Sequence, residues 1–388
     1  MSRSRLWIAC LMGAIAFGTA WAVRGKFGHE QGAAWAGAIG ALSIILVANR
    51  PDWYGRMFKI ALVAAFGWGL SGMISYGQIV GYATADDAGT VAFGLLMLLV
   101  IGILYGFIGG GLLGFALSDT GETSVPWSLL ITEMLAFGLL AYGLLVNQLG
   151  WLMTPPRSEL WAACLGACIP IAWRALRTKD KAVMKVAVWS ALGAGFGFAS
   201  GNFLQVLGRA AEIPFNFWNV MEYSIGFWGG LGMTYAILTS AWPVLEKGSK
   251  QSNILPVILL FAFIPFVVWD QSFPASKLDF ILEMGGSEQT ILLFQWLAAL
   301  IIAIAAVPVF ALYNKTIFNY VDARNVFLLS LGSYILLSFL RTGISVHPLE
   351  QYLYVVNILL VLWVAPRVGI TVPLRSGISS GTPSESVL

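Results

Sequence analysis

Glu222 is a carboxylate placed where water is scarce. It lies in the run FNFWNVMEYSIGF, residues 215–227, several positions inside an apolar stretch. An ionisable group at membrane depth is costly, so it is paired, neutralised or turned to a wet cavity, and it marks function by default. Asn219 stands three residues earlier on the same helical face, and Asn216 one further turn away. Glu133, in LLITEMLAFG, is a second carboxylate of this kind. The chemistry these groups offer is the loading and release of a proton or a cation.

A second cluster is Arg24-Gly-Lys-Phe-Gly-His29-Glu30-Gln31-Gly32, between two apolar runs. His29 titrates near neutral pH when unperturbed. Gly25, Gly28 and Gly32 allow the backbone a tight, re-entrant path. His29 and Glu30 are adjacent in sequence and lack the HExxH spacing of a zinc site. Gln78, Asn202, Gln205, Gln295 and Asn357 add amides at membrane depth, suited to binding a polar solute or to joining helices. Trp68, Trp228 and Trp296 fall within spans, where an indole can stack on an organic ring.

These residues sit in a chain that is 58% hydrophobic and 11% charged, against about 25% charge in a soluble domain. A crossing helix needs roughly 20 mostly apolar residues. Twelve such spans are expected, at about 6–22, 32–48, 57–82, 90–118, 126–150, 159–176, 185–208, 217–243, 253–271, 289–313, 324–342 and 350–370. The runs do not alternate as barrel strands do, so the fold class is an all-α, polytopic membrane bundle. With the N-terminus inside, all but Arg24, Lys26, Arg157, Arg209, Lys277 and Arg341 of the 22 basic residues fall on the cytoplasmic side. Both termini are then cytoplasmic, in an inner or plasma membrane. A reporter fused within 174–185 should score cytoplasmic and one within 275–288 external; the same side for both would overturn the span count. Arg3, Arg5 and Ala20-Trp21-Ala22 also fit a cleavable signal segment, which would leave eleven spans.

Several chemistries have no signal here. There is no Walker loop, GxSxG or dinucleotide fingerprint. Cys10, Cys164 and Cys168 have no third ligand nearby and read as small apolar filler. No cofactor, metal or nucleic-acid partner is expected.

The turn Asn49-Arg50-Pro-Asp52-Trp53-Tyr54-Gly55-Arg56 resembles the loop signature of the major facilitator superfamily, an acidic residue followed after two positions by Gly-Arg. Glu246-Lys247-Gly248-Ser249-Lys250 is a looser echo six spans later. The resemblance implies two halves with Asp52 and Arg56 as a cytoplasmic gate pair; the basic connector Arg174–Lys185 divides the chain into halves of six spans, 1–176 and 177–374, and the Ser-, Gly- and Thr-rich stretch 375–388 reads as a disordered tail. Spans three and four also resemble spans seven and eight, with Gln78 over Gln205. The expected function is an ion-coupled secondary transporter, its partners a small polar or organic solute, a proton or sodium ion, and the lipid bilayer. The expected binding residues are Glu222, Glu133, Asn219, Gln78, Gln205, Asn202, Arg24, His29 and Glu30. The alternatives are a membrane-embedded transferase using His29 and Glu30 at the outer leaflet, or a non-catalytic receptor or assembly subunit. A midplane cavity lined by Glu222 favours transport; a side-opening cavity over His29 and Glu30 favours transfer.

Overall fold

The computed structural model describes residues 2–120, 124–244, 253–343, 348–370 and 372–375. The Glu246–Lys250 echo and nearly all of the tail lie outside the described residues. The chain forms α1 (Arg3–Arg24), α2 (His29–Ala48), α3 (Pro51–Tyr54), α4 (Met57–Ser71), α5 (Gly77–Tyr82), α6 (Ala88–Ser118), α7 (Trp127–Tyr142) and α8 (Leu160–Arg177). Then come α9 (Lys181–Ala210), α10 (Phe217–Leu238), α11 (Leu255–Ile258), α12 (Ile264–Ser272), α13 (Phe280–Glu283), α14 (Glu288–Tyr313), α15 (Tyr320–Thr342) and α16 (Pro348–Val368). Wide π turns extend α7 to Gln148 and join α11 to α12. Among the described residues, 10 helices are long and apolar enough to cross a membrane, with Leu255–Ser272 taken as one. The all-α, multi-pass bundle read from composition is what forms. The α4 helix, at 15 residues, and α10 fall outside those ten yet pack among them.

Helix starts follow local chemistry. Asp87 accepts a hydrogen bond from the Thr90 amide at the head of α6, and Asp180 does so from Ala182 and Val183 at α9. Ser287 with Thr290, and Asn319 with Asp322, close reciprocal boxes at α14 and α15. Each satisfies amides that the first turn leaves unpaired.

Six helices close a ring in the order α1, α2, α4, α6, α9, α10 and back to α1. The α7–α8 pair flanks it at α6, and α12, α15 and α16 flank it at α1 and α2, with α14 outside them. Ring helices therefore come from both sides of the expected division at 176/177, and the packing does not separate there. Glycines set the tightest seams. A Cβ on Gly106 would lie 2.1 Å from the Ser190 carbonyl oxygen, and one on Gly193 2.1 Å from that of Trp228. Lipid supplies no hydrophobic drive between helices, so close backbone approach through small residues holds such seams. Aromatic rings fill the ring's interior: Phe17 and Trp21 from α1, Trp68 from α4, Tyr105 from α6 and Phe198 from α9, with centroids 4.7–6.1 Å apart. Trp68 is thus packing at the core. Trp228 and Trp296 are 36% and 72% exposed, and Trp228 lines an apolar pocket with Trp189 and Phe196 of α9.

Candidate functional site

Two backbone breaks put polar groups at one level of the ring. The first is the turn between Arg24 and His29, separating α1 from α2. The second interrupts the third span, which hydropathy reads as continuous, between Ser71 and Gly77. Free backbone groups at such depth must find partners or water. The Tyr105 hydroxyl donates to the Ile74 carbonyl at 3.0 Å. Gly72 lets the end of α4 press on α2: a Cβ there would sit 2.7 Å from the His29 carbonyl oxygen. The break turns the Tyr76 side chain into the ring.

There Arg24, Tyr76 and Glu222 form one network. Arg24 Nη1 donates to Glu222 Oε2 at 3.0 Å, to Oε1 at 3.2 Å and to the Tyr76 hydroxyl oxygen at 2.7 Å. The Tyr76 hydroxyl in turn donates to Glu222 Oε1. Arg24 and Glu222 are 2% and 1% exposed. The guanidinium also lies 5.2 Å from the Trp21 ring centre, a favourable placement for a desolvated cation. Arg24 Nη2 is 2.9 Å from His29 Nδ1. A guanidinium only donates, so Nδ1 accepts and the ring proton sits on Nε2. His29 is therefore held as a neutral donor.

On the far side of Tyr76 and His29 lies a polar cavity of about 440 Å³. Glu30, Ser75, Gln78, Arg157, Ser158 and Trp218 complete its wall, with Met73 and Gly77. The Glu30 and Arg157 side chains have no hydrogen-bond or ion-pair partner among the described residues. Glu222 does not line the cavity; Tyr76 stands between them. A second buried pair ties the α1–α2 turn to α16. Lys26 Nζ meets Glu350 Oε1 at 2.6 Å, and Asn216 Nδ2 donates to Glu350 Oε2 at 3.0 Å.

The structure gathers Arg24, His29, Glu30, Gln78 and Glu222 at this level. Asn219 lies beside them on α10, donating to the Ala22 carbonyl at 3.1 Å. The other expected residues stand apart. Glu133 is on α7, outside the ring, with no ion-pair partner among the described residues. Asn202 and Gln205 bond to each other at 3.2 Å within α9, so they act between neighbouring turns and do not face the cavity. Asp52 and Arg56 do not pair with each other. Asp52 takes a two-pronged bond from Arg50, at 2.9 and 2.5 Å, because Arg50 lies closer in the turn and also reaches the Pro243 carbonyl. Arg56 Nη2 is drawn to the Ala116 and Asp119 carbonyls at the end of α6.

Sequence reading missed Tyr76, Arg157, Trp218 and Glu350. Tyr76 carries no charge, and its only signal is the run Gly72–Gly77 that breaks the span. Arg157 breaks the inside bias of basic residues just as Arg24 does, which is a usable signal.

Fold and site together define an all-helical, multi-pass membrane protein with a charged network buried at helix breaks. Comparison with protein-family models, curated proteins and solved structures finds no match to this chain.

Proposed function

We propose that the protein is an ion-coupled secondary carrier whose solute enters the polar cavity beside His29 and Glu30. The observation that carries this reading is the Arg24–Tyr76–Glu222 network, sealed at the cavity floor between the α1–α2 turn and the broken third span. Interrupted helices lining polar sites are the usual substrate and ion sites of carriers. In this reading a proton or solute opens the buried pair, giving the two arrangements that a coupling element requires. Arg157, on the expected outer face, lines the cavity. The aromatic plug beneath the network closes the opposite path, so this arrangement corresponds to an outward-facing state. His29, with Nδ1 engaged by Arg24, offers a donor to the solute and no free base.

The test is proteoliposomes enclosing a pH-sensitive dye, with phosphoethanolamine and other small organic zwitterions added outside. Solute-dependent proton entry is expected in the wild type and should vanish in Glu222→Gln. The Arg24→Gln/Glu222→Gln pair, which leaves no buried charge alone, should be equally inert. Proton entry at the wild-type rate in the folded double variant would remove Glu222 from coupling and overturn the reading.

The cavity itself favours the transferase reading by the criterion drawn from the sequence: it lies over His29 and Glu30, Glu222 does not line it, and it continues sideways into an apolar groove, as access for a lipid substrate would; the carrier reading rests on the buried network. Glu30 would then be the base, and a labelled lipid incubated with the protein would yield a new product.

A further inference from the structure

The cavity shares Glu30 and Met73 with an apolar groove of about 650 Å³ between α2, α4 and the α11–α12 run. Ala34, Phe66, Leu70, Phe263 and Val267 line the groove. Gln31 and Gln271 join side chain to side chain, and both line it. Both volumes fall in the usual range for small-ligand sites. From Leu62 to Leu70 the groove follows α4 for roughly 12 Å at 1.5 Å per residue, and Met73 continues it past the helix end. That is about two-fifths of a 30 Å hydrocarbon core, close to the depth of one leaflet's chains. It begins at the cavity, hence at the expected outer face.

The cavity carries unpaired charges of both signs. Arg157 and the His29 Nε2–H suit an anionic group. Glu30 suits an ammonium, and Trp218 gives it an aromatic face. A polar end that wants a zwitterion, continuous with a chain-length apolar slot, fits one kind of molecule.

We infer that the ligand is an outer-leaflet phospholipid with a zwitterionic headgroup, its head in the cavity over Tyr76 and one acyl chain in the α2–α4–α12 groove. This rests on the cavity being the solute site of the proposed carrier. The head enters the protein while the chain stays on the lipid-facing side, so the aromatic plug need pass no hydrocarbon.

The test uses the full chain in nanodiscs of phosphatidylglycerol. The probes are phosphatidylethanolamine and phosphatidylglycerol, each carrying a photoreactive group in one chain. Phosphatidylethanolamine crosslinks should concentrate on Phe66, Leu70, Met73 and Val267, and phosphatidylglycerol crosslinks should not. Val267→Trp and Ala34→Trp, on different walls, should each cut the yield by about tenfold. Glu30→Gln and Arg157→Gln should erase the preference between the two probes while leaving the folded protein unchanged in size-exclusion profile. Crosslinks spread equally over the groove and the outward Leu292, Leu300 and Ile304 of α14 would overturn the inference, as would equal yields from both probes. Free phosphoethanolamine driving proton entry with no lipid preference would remove the lipid and keep the carrier. Selective lipid crosslinking with no coupled proton entry would keep the lipid and remove the carrier.

Discussion

Removing either charge of the Arg24–Glu222 pair should destabilise the folded protein by about 3–5 kcal/mol, the size seen when one partner of a buried ion pair is lost. Glu222→Gln leaves the Arg24 guanidinium sealed at 2% exposure with a weaker acceptor. Arg24→Gln leaves a carboxylate sealed with only hydroxyl and amide donors. The Arg24→Gln/Glu222→Gln double variant removes both charges and should lose much less than the sum of the single changes. Tyr76→Phe removes a hydroxyl that accepts from Arg24 and donates to Glu222, and should lose about 1.5–3 kcal/mol. Unfolding of the purified protein in detergent measures all four. Losses that add to within about 0.5 kcal/mol would mean that the two charges do not act as a pair.

Gly106→Ala should cost about 3 kcal/mol, the upper end of the overpacking range, although it adds a single methyl group. That methyl would lie 2.1 Å from the Ser190 carbonyl oxygen and 2.4 Å from its carbon. Both are backbone atoms, so no side chain can rotate aside, and α6 must move from α9. Gly143→Ala is the matched control: a Cβ there meets nothing within 4 Å. It should be neutral or stabilising by up to about 1 kcal/mol, since alanine favours helix over glycine. Thermal unfolding compares the two. Equal behaviour would show that the α6–α9 seam has slack.

The helices were legible because their signal is local. A run of apolar residues long enough to span requires only its own backbone bonds, so the expected spans other than the third coincide with helices to within about five residues. The break at 72–76 was not legible. It depends on Tyr105 reaching the Ile74 carbonyl from another helix, and hydropathy averages across it. Arg24 and Glu222 each stood out as a charge at depth, but their pairing joins residues 198 apart, and one sequence carries no record of that contact. Asp52 shows the reverse failure. A short loop string suggested a partner four residues on, and the nearer Arg50 has the better geometry. Gln205 and Asn202 stand out in the sequence by polarity alone, which does not distinguish a cavity wall from a bond along one helix.

Closure of the ring by α1 against α10 has a consequence for how the protein is made. Arg24 is synthesised 198 residues before Glu222. At about 5–20 residues per second, roughly 10–40 seconds separate them. Throughout that interval the Arg24 guanidinium lacks its Glu222 partner. The nascent first hairpin must therefore wait at the aqueous face, or in the shelter of the insertion machinery, until α10 arrives. Chains truncated before residue 217 should present Arg24 as an unmet charge and be cleared by membrane quality control, whereas chains extending past residue 238 should persist.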